Sequence, residues 1–385
     1  MNAAEAAAEL GVSRATLYAY VSRGMIASEA TIGRRERLYR ADDVRALIAR
    51  RDKGKSADEA AESALHLGLP VLDSAITLIA NGQLSYRGRD AVALAREASL
   101  ETVATLLWRC KADPFADAVP LMPKLLGPTP MSRAMHAIAQ ASATDARAYD
   151  LSPAGIAGTG GRILRLLSAA LTDTPPSRLP IHEQLGRAFG RPRLGTLGLV
   201  RAVLVLLADH ELNASTFAVR VAASTGANPY LSVLAGLATL QGPRHGGGIE
   251  RVLAFLDEAA AAALPGEAVE RRLKRAESLP GFEHPLYPDG DPRALAILER
   301  LDAIAGDDAA MVRIRGILGA ARDIAGLKPN VDLALGAVVR VLAWPDETGL
   351  ALFSVARSCG WIAHAIEQAA DFRLIRPRAR YVGPR

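Results

Sequence analysis

LQGPRHGGGIERV, residues 240–252, sets a single histidine, His245, between two apolar helical runs. Its neighbours Gly242, Pro243, Gly246, Gly247 and Gly248 each disfavour helix or fix a turn, so the backbone is stripped of side chains here rather than packed. A thin main chain lets a bound molecule approach closely, and a helix starting near Ile249 would aim free N–H groups at the same place. Taken alone, the segment also fits a plain connection between two helices carrying an exposed histidine.

Around it, Ala- and Leu-rich segments repeat apolar residues at i, i+3, i+4 and i+7, which predicts a helical body, and strand patterns are nearly absent. With 385 residues, 50% of them hydrophobic, the chain has the material for two or three domains with large cores, which excludes a disordered chain. The most apolar run, LGTLGLVRAVLVLLA (194–208), is short for a bilayer and carries Arg201, so it predicts a buried helix and no membrane association. Helices apolar on all sides lie in large cores or subunit interfaces, which makes a homo-oligomer the expectation. Cys110 and Cys359 have no metal-ligand spacing, so no metal site is expected, and MNAAEAAAELG lacks the pattern of a signal peptide. Both features point to a reducing, cytoplasmic setting. No glycine-rich nucleotide loop follows a strand, which disfavours a dinucleotide-binding domain.

The first fifty residues differ in charge. Through Lys55 there are eleven Lys and Arg against seven Asp and Glu, four of the chain's net +5. AAEAAAELGVSRATLYAYVSRGMI (3–26) reads as a short helix, a Gly-Val-Ser turn and a second helix with Leu17 and Val21 facing inward. ATIGRRERLYRADDVRALIAR (30–50) adds an arginine-rich hairpin ending at Tyr39 and another helix. Residues 1–51 thereby resemble the winged helix-turn-helix domain of the MerR and excisionase-like families, with 52–68 as a polar linker. On that resemblance Arg14, Thr16, Tyr18 and Arg23 face DNA from the second helix, and Arg34, Arg35 and Arg37 meet phosphates. The alternative is an interaction module with a solvated basic rim, since an excess of four charges is modest for a specific DNA binder.

In the remainder, four stretches set an ionisable residue where a helix starts or stops: ADHELNASTF (His210), QGPRHGGG (His245), GFEHPLYPDGDPR (His284, Arg293) and KPNVDL (Asp332). Such positions shift proton affinities and leave backbone open, as acid–base sites require. Arg293, Arg357 in FSVARSCGW and Arg376 in LIRPRARY are candidates to grip a dianionic small acid by two-pronged hydrogen bonds. An aspartate removing a proton next to a carbonyl, with histidines stabilising the enol and protonating an acceptor, makes a carbon–carbon condensation without metal or redox cofactor.

The order of these motifs carries a resemblance. GQLSYRGRDAVALA (82–95), DHELNASTFAVRVAASTGANPYLSVLAGLATLQGPRHGG (209–247), GFEHPLYPDGDPRA (281–294), PNVDLALG (329–336), LFSVARSCGWIAHAIEQ (352–368) and RLIRPRARYVGP (373–384) closely resemble, in this order, the citrate synthase family over about residues 70–385. The resemblance implies an all-α, two-lobed helical fold, with a large lobe of residues 69–245 and 344–385, a small lobe of 246–343 and the active site between them. It implies a homodimer acting on oxaloacetate with acetyl-CoA as cosubstrate and no tightly bound cofactor. His245 then matches the group on the thioester oxygen, Asp332 the base, and His284 the group that polarises and protonates the keto oxygen. His210 matches a further oxaloacetate contact, Phe353 an aromatic beside the intermediate, and Arg293, Arg357 and Arg376 the carboxylate clamps, the last reaching into the partner's site. Glu283, Pro285 and Pro288 depart from the family's Gly, Arg and Lys, and the change of charge is expected to weaken contact with CoA phosphates. A 2-methylcitrate synthase using propionyl-CoA, or a DNA-binding regulator using the synthase lobes as a metabolite sensor, are the rival functions.

Overall fold

The structure, a computed structural model, describes residues 1–10, 12, 17, 20, 21, 26–30, 37–45, 72–116, 119–190, 192–379 and 381–384. They fall into two compact units, Met1–Asp73 with Pro377–Arg385, and Ser74–Arg376.

In the first unit, helix α1 (Ala3–Leu10) accompanies an antiparallel hairpin of β1 (Ser28–Ala30) and β2 (Arg37–Tyr39), with Ser28 opposite Tyr39. Ala6, Ala7, Leu10, Leu17, Ile26, Tyr39 and Val44 form its core, with Val21 packed on it. The inward placing of Leu17 and Val21 and the hairpin ending at Tyr39 are therefore as expected. Arg14, Thr16, Tyr18, Arg23, Arg34, Arg35 and the 52–68 linker lie outside the described residues, and of Arg37 only its backbone place at the start of β2 is described.

The second unit opens with a small antiparallel sheet of β3 (Thr77–Ala80), β4 (Gln83–Tyr86) and β5 (Arg89–Asp90), in the order β3-β4-β5. Strands of two to four residues are too short to impose a period-two pattern, which is why the sequence concealed them. Helices follow: α2 (Ala91–Glu97), α3 (Leu100–Trp108), α4 (Pro130–Thr144), α5 (Pro153–Thr172), α6 (Ile181–Ala188), α7 (Thr196–Leu206), α8 (Ala214–Ser224) and α9 (Pro229–Leu240). Beyond the glycine turn come α10 (Gly248–Ala261), α11 (Pro265–Lys274), α12 (Pro292–Ala305), α13 (Ala309–Ala325), α14 (Val331–Val341) and α15 (Thr348–Asp371).

Local chemistry sets the helix starts that matter. Asn213, Asn228 and Asn330 cap α8, α9 and α14, each side chain accepting from a backbone N–H of the first turn. Such a cap contributes about 1 kcal/mol and fixes the entering chain. Helix α15 is apolar nearly all round and packs against α3, α5, α7, α8 and α9. It is the one described helix long and apolar enough to cross a membrane, yet 89% of its apolar window is buried inside the protein, so it is the core helix. Helix α7 is buried as the sequence predicts, and the Arg201 guanidinium escapes its apolar surface by donating to the Ala98 carbonyl at 2.8 Å.

The chain leaving α7 is tied down from three sides. The Tyr86 hydroxyl donates to the carbonyls of Val205 and Leu206, Arg357 Nε donates to that of Leu207 at 3.0 Å, and the Gly360 N–H to that of Ala208 at 2.9 Å. This close crossing demands glycine in α15, because a Cβ at position 360 would stand 2.4 Å from the Ala208 carbonyl oxygen and 2.3 Å from Asp209 Oδ1. Gly360→Ala is therefore expected to cost about 3 kcal/mol of stability, read as the denaturant midpoint, because backbone rather than a flexible side chain must yield. An unchanged midpoint would show that the crossing is loose.

Candidate active site

Electrostatics organises the residues that meet beyond this crossing. Arg357 and Arg293 are 1% and 2% exposed, so both guanidinium groups are taken out of water. Arg293 is neutralised by Asp291, which accepts from its Nε at 2.9 Å and its Nη2 at 2.8 Å. Arg357 has no carboxylate within ion-pair distance among the described residues; it rests on the Leu207 carbonyl and over the Phe353 ring, 4.8 Å from the centroid. Burial brings its proton affinity down to about 10, and Asp209 is the largest opposing influence. A buried, unmatched cation of this kind is a demand for an anion.

Three histidines stand in the same field. His210, at the end of the tied segment, shares a 3.0 Å hydrogen bond through Nε2 with the Tyr287 hydroxyl, and its ring meets that of His284 edge to face at 5.2 Å. Burial first, then Arg293 and Arg357, push its pKa well below 6.5. His284 is lowered by burial and by Arg293. Its Nδ1 accepts the Leu286 N–H at 3.2 Å, so the neutral ring carries its proton on Nε2. His245 is brought down to about 4 by burial and then by Arg357, and its ring meets Phe353 at 6.0 Å. All three rings are thus neutral near pH 7.

His245 owes its orientation to Ser215, whose Oγ lies 2.7 Å from Nε2. That hydroxyl also reaches Asn213 Oδ1 at 2.8 Å and accepts from Trp361 Nε1 at 3.3 Å. Its one proton is given to Asn213 Oδ1 here, and its contact with His245 Nε2 turns on which ring nitrogen carries the proton.

Asp332 lies in the first turn of α14, half-buried, with burial raising its carboxyl to about 6 against the opposing pull of Arg293. It faces the start of α10: a Cβ on Gly248 would stand 3.0 Å from Asp332 Oδ2, so the last glycine of the turn leaves room for the carboxylate. Helix α10 starts at Gly248, within a residue of the predicted Ile249. The segments bearing His284 and Asp332 are joined by a bridge between Phe282 and Pro329 and by the Asn330 N–H donating to Gly281 at 2.9 Å. Asp291 adds a second tie, accepting from the Val331 N–H at 3.1 Å while it holds Arg293.

His210, His284 and Arg293 are thus linked through Tyr287, and His245, Phe353 and Arg357 through their rings, while Asp332 faces the turn that carries His245. Arg376 is exposed, and no hydrogen bond or ion pair joins it to them; only its neighbour Ile375 is fixed, to Ser224 Oγ at 3.1 Å. The three departures from the family pattern, Glu283, Pro285 and Pro288, are all exposed. Ser215, Tyr287 and Asp291 escaped the sequence reading, although each lies inside a motif quoted for its neighbour.

A model of the citrate synthase C-terminal domain matches residues 129–378, and a helix-turn-helix domain model matches residues 1–52. The citrate synthase of Mycolicibacterium smegmatis is 32% identical over 371 residues, 85% of this chain and 98% of that protein. The chain belongs to the citrate synthase family. The 2-methylcitrate synthase of Shewanella oneidensis is 27% identical over 79% of this chain and 90% of its own length. Among solved structures, the ternary complex of the Thermoplasma acidophilum citrate synthase with carboxymethyl coenzyme A and oxaloacetate superposes with a TM-score of 0.67 at 26% identity, over 84% of this chain and 96% of that one. The fold is the all-α citrate synthase fold preceded by a helix-turn-helix domain. The family's members are acyltransferases that take acetyl-CoA as substrate without a tightly bound cofactor.

The raised Asp332 carboxyl makes a stability prediction whose sign is fixed. A folded-state value of about 6 against an ordinary 3.8 means that ionising Asp332 opposes folding. The penalty is nil below pH 4, grows as pH rises, and is complete above pH 6, on the order of 3 kcal/mol. Substrate-free Asp332→Asn is expected to unfold at higher urea than the parent at pH 8, with the advantage vanishing near pH 4. A difference independent of pH would contradict the burial of this charge.

Proposed function

We propose that the protein condenses acetyl-CoA with oxaloacetate and water to give citrate and CoA. The observation that carries the reading is the unmatched guanidinium of Arg357 buried beside Arg293, three neutral imidazoles and a carboxyl raised toward neutrality. A dianionic acceptor supplies the missing negative charge. Arg357 keeps both terminal nitrogens for one carboxylate, and Arg293, with Nε and Nη2 taken by Asp291, offers Nη1. Arg376 of a second copy is the third clamp, which makes the working unit a homodimer.

Asp332 takes a proton from the acetyl methyl group, and a carboxyl near 6 is a stronger base than an ordinary aspartate. His245 stabilises the enol at the thioester oxygen. When Ser215 turns its hydroxyl proton from Asn213 to Nε2, the neutral ring carries its own proton on Nδ1, free to donate to that oxygen. The enol carbon attacks the keto carbon while His284 Nε2 donates to the keto oxygen and hands it the proton. His284 is reprotonated from solvent, and water then cleaves the citryl thioester, its oxygen forming the new carboxylate while the proton held by Asp332 leaves with the CoA thiolate. Closure of residues 246–343 against the larger lobe keeps water away from the enol until the carbon–carbon bond has formed.

Propionyl-CoA is the nearest rival substrate, since one methylene in a pocket discriminates by only about 1–3 kcal/mol. CoA release with oxaloacetate and a series of acyl-CoA thioesters separates the two. Acetyl-CoA is expected to give the highest kcat/KM, with activity falling as pH drops through about 6, where Asp332 takes up its proton, and with Asp332→Asn reduced at least 1000-fold. No turnover with any thioester would overturn the enzyme reading.

The helix-turn-helix match over residues 1–52 supports a second property, DNA contact by the full chain. Retardation of labelled duplex that weakens steeply with salt is expected. No retardation at low salt would reject it and leave the domain as a protein-interaction module.

A further inference from the structure

The residue before the proposed acid, Glu283, stands at φ +62°, in the left-handed region where side chains are disfavoured and glycine is at ease. Its carboxylate has a defined partner. Glu283 Oε1 accepts the Lys328 N–H at 2.9 Å, and the Glu283 N–H donates to the Lys328 carbonyl at 2.8 Å, so one residue grips both backbone groups of the other. Beside this ring the Asn330 amide closes the pairing, with Nδ2 donating to the Glu283 carbonyl at 3.0 Å and Oδ1 capping α14 at Asp332 and Leu333. Pro329, between them, has no N–H to give, so the pairing is carried by Lys328 and Asn330 on either side of it.

Resting on the condensation reading, we propose that Glu283 is a positioning residue that locks the loop leading to Asp332 onto the turn carrying His284, so that base and acid keep one separation. Its charge is committed to the backbone of Lys328 and acts on the geometry of the two proton-transfer groups. Proton removal by Asp332 with His245 needs no fixed relation to His284, whereas capture of the enol by oxaloacetate does. Loss of the lock therefore separates the two steps: the enol still forms, and more of it is reprotonated before it condenses.

Two variants test this in the full-length protein. Glu283→Gly suits the left-handed backbone and removes only the side-chain bond, while Glu283→Gln keeps an acceptor oxygen without the charge. In heavy water, deuterium gained by the methyl group of recovered acetyl-CoA is counted against citrate formed. Glu283→Gly is expected to raise that ratio at least 5-fold and lower kcat about 10-fold, with the KM for oxaloacetate within 2-fold, and Glu283→Gln to restore the parent ratio. A parent ratio in Glu283→Gly with an active parent enzyme overturns the positioning role alone. Equal loss of exchange and condensation would reduce Glu283 to a general structural contact and overturn it too. A parent chain that forms no citrate overturns the condensation reading itself and this proposal with it.

Discussion

The arrangement depends on a buried positive charge with no carboxylate in ion-pair reach among the described residues. Arg357 sits in the core helix α15, 1% exposed, with a carbonyl and an aromatic face for company. Leaving a guanidinium so placed costs several kcal/mol unless something pairs with it. The surrounding residues offset part of that cost: Asp209, also fully buried, is its largest favourable charge influence, and Phe353 lends its ring. The same field holds His210, His245 and His284 neutral, so the rings do not add to the excess of positive charge.

Contacts to backbone carbonyls help keep this arrangement in place. Tyr86, Arg357 and Gly360 each bind a carbonyl between Val205 and Ala208, so His210 leaves a segment that cannot shift. Asp209 ties that segment further, accepting from Thr77 Oγ1 at 2.5 Å and lying 3.4 Å from His364 Nε2, with both side chains fully buried. His364 is fully buried against Asp209 and packs behind the segment that carries His210. Functional groups at helix ends and backbone anchoring behind them are complementary: the ends supply open donors, and the anchors supply the rigidity that helix ends lack.

The helical body was legible in the sequence because α7, α9 and α15 sustain the apolar repeat long enough to exclude strands. The sheet of β3, β4 and β5 was not, although its Asn81-Gly82 pair is a hairpin signal. His245, His284, Asp332, Arg293 and Arg357 were legible as candidates because each stands beside a Gly, Pro or Asn that breaks a helix or in a motif of known order. Ser215, Tyr287 and Asp291 were not, because their partners lie elsewhere in the chain: Ser215 reaches His245 across 30 positions, Tyr287 reaches His210 across 77, and Asp291 reaches Val331 across 40. Glu283 shows the limit from the other side. Its charge was visible in the sequence and read against CoA phosphates, while its hydrogen bond to Lys328, 45 positions away, appears only when the chain has folded.

The most direct test of the central claim is a crystal structure of the full-length protein with oxaloacetate and a non-reactive thioether analogue of acetyl-CoA. The expected result has the two carboxylates of oxaloacetate on Arg357 and Arg293, His284 Nε2 on the keto oxygen, and the Asp332 carboxylate within about 3.5 Å of the analogue's methyl position. Oxaloacetate bound away from Arg357, or Asp332 turned from the acyl group in the closed complex, would contradict the account.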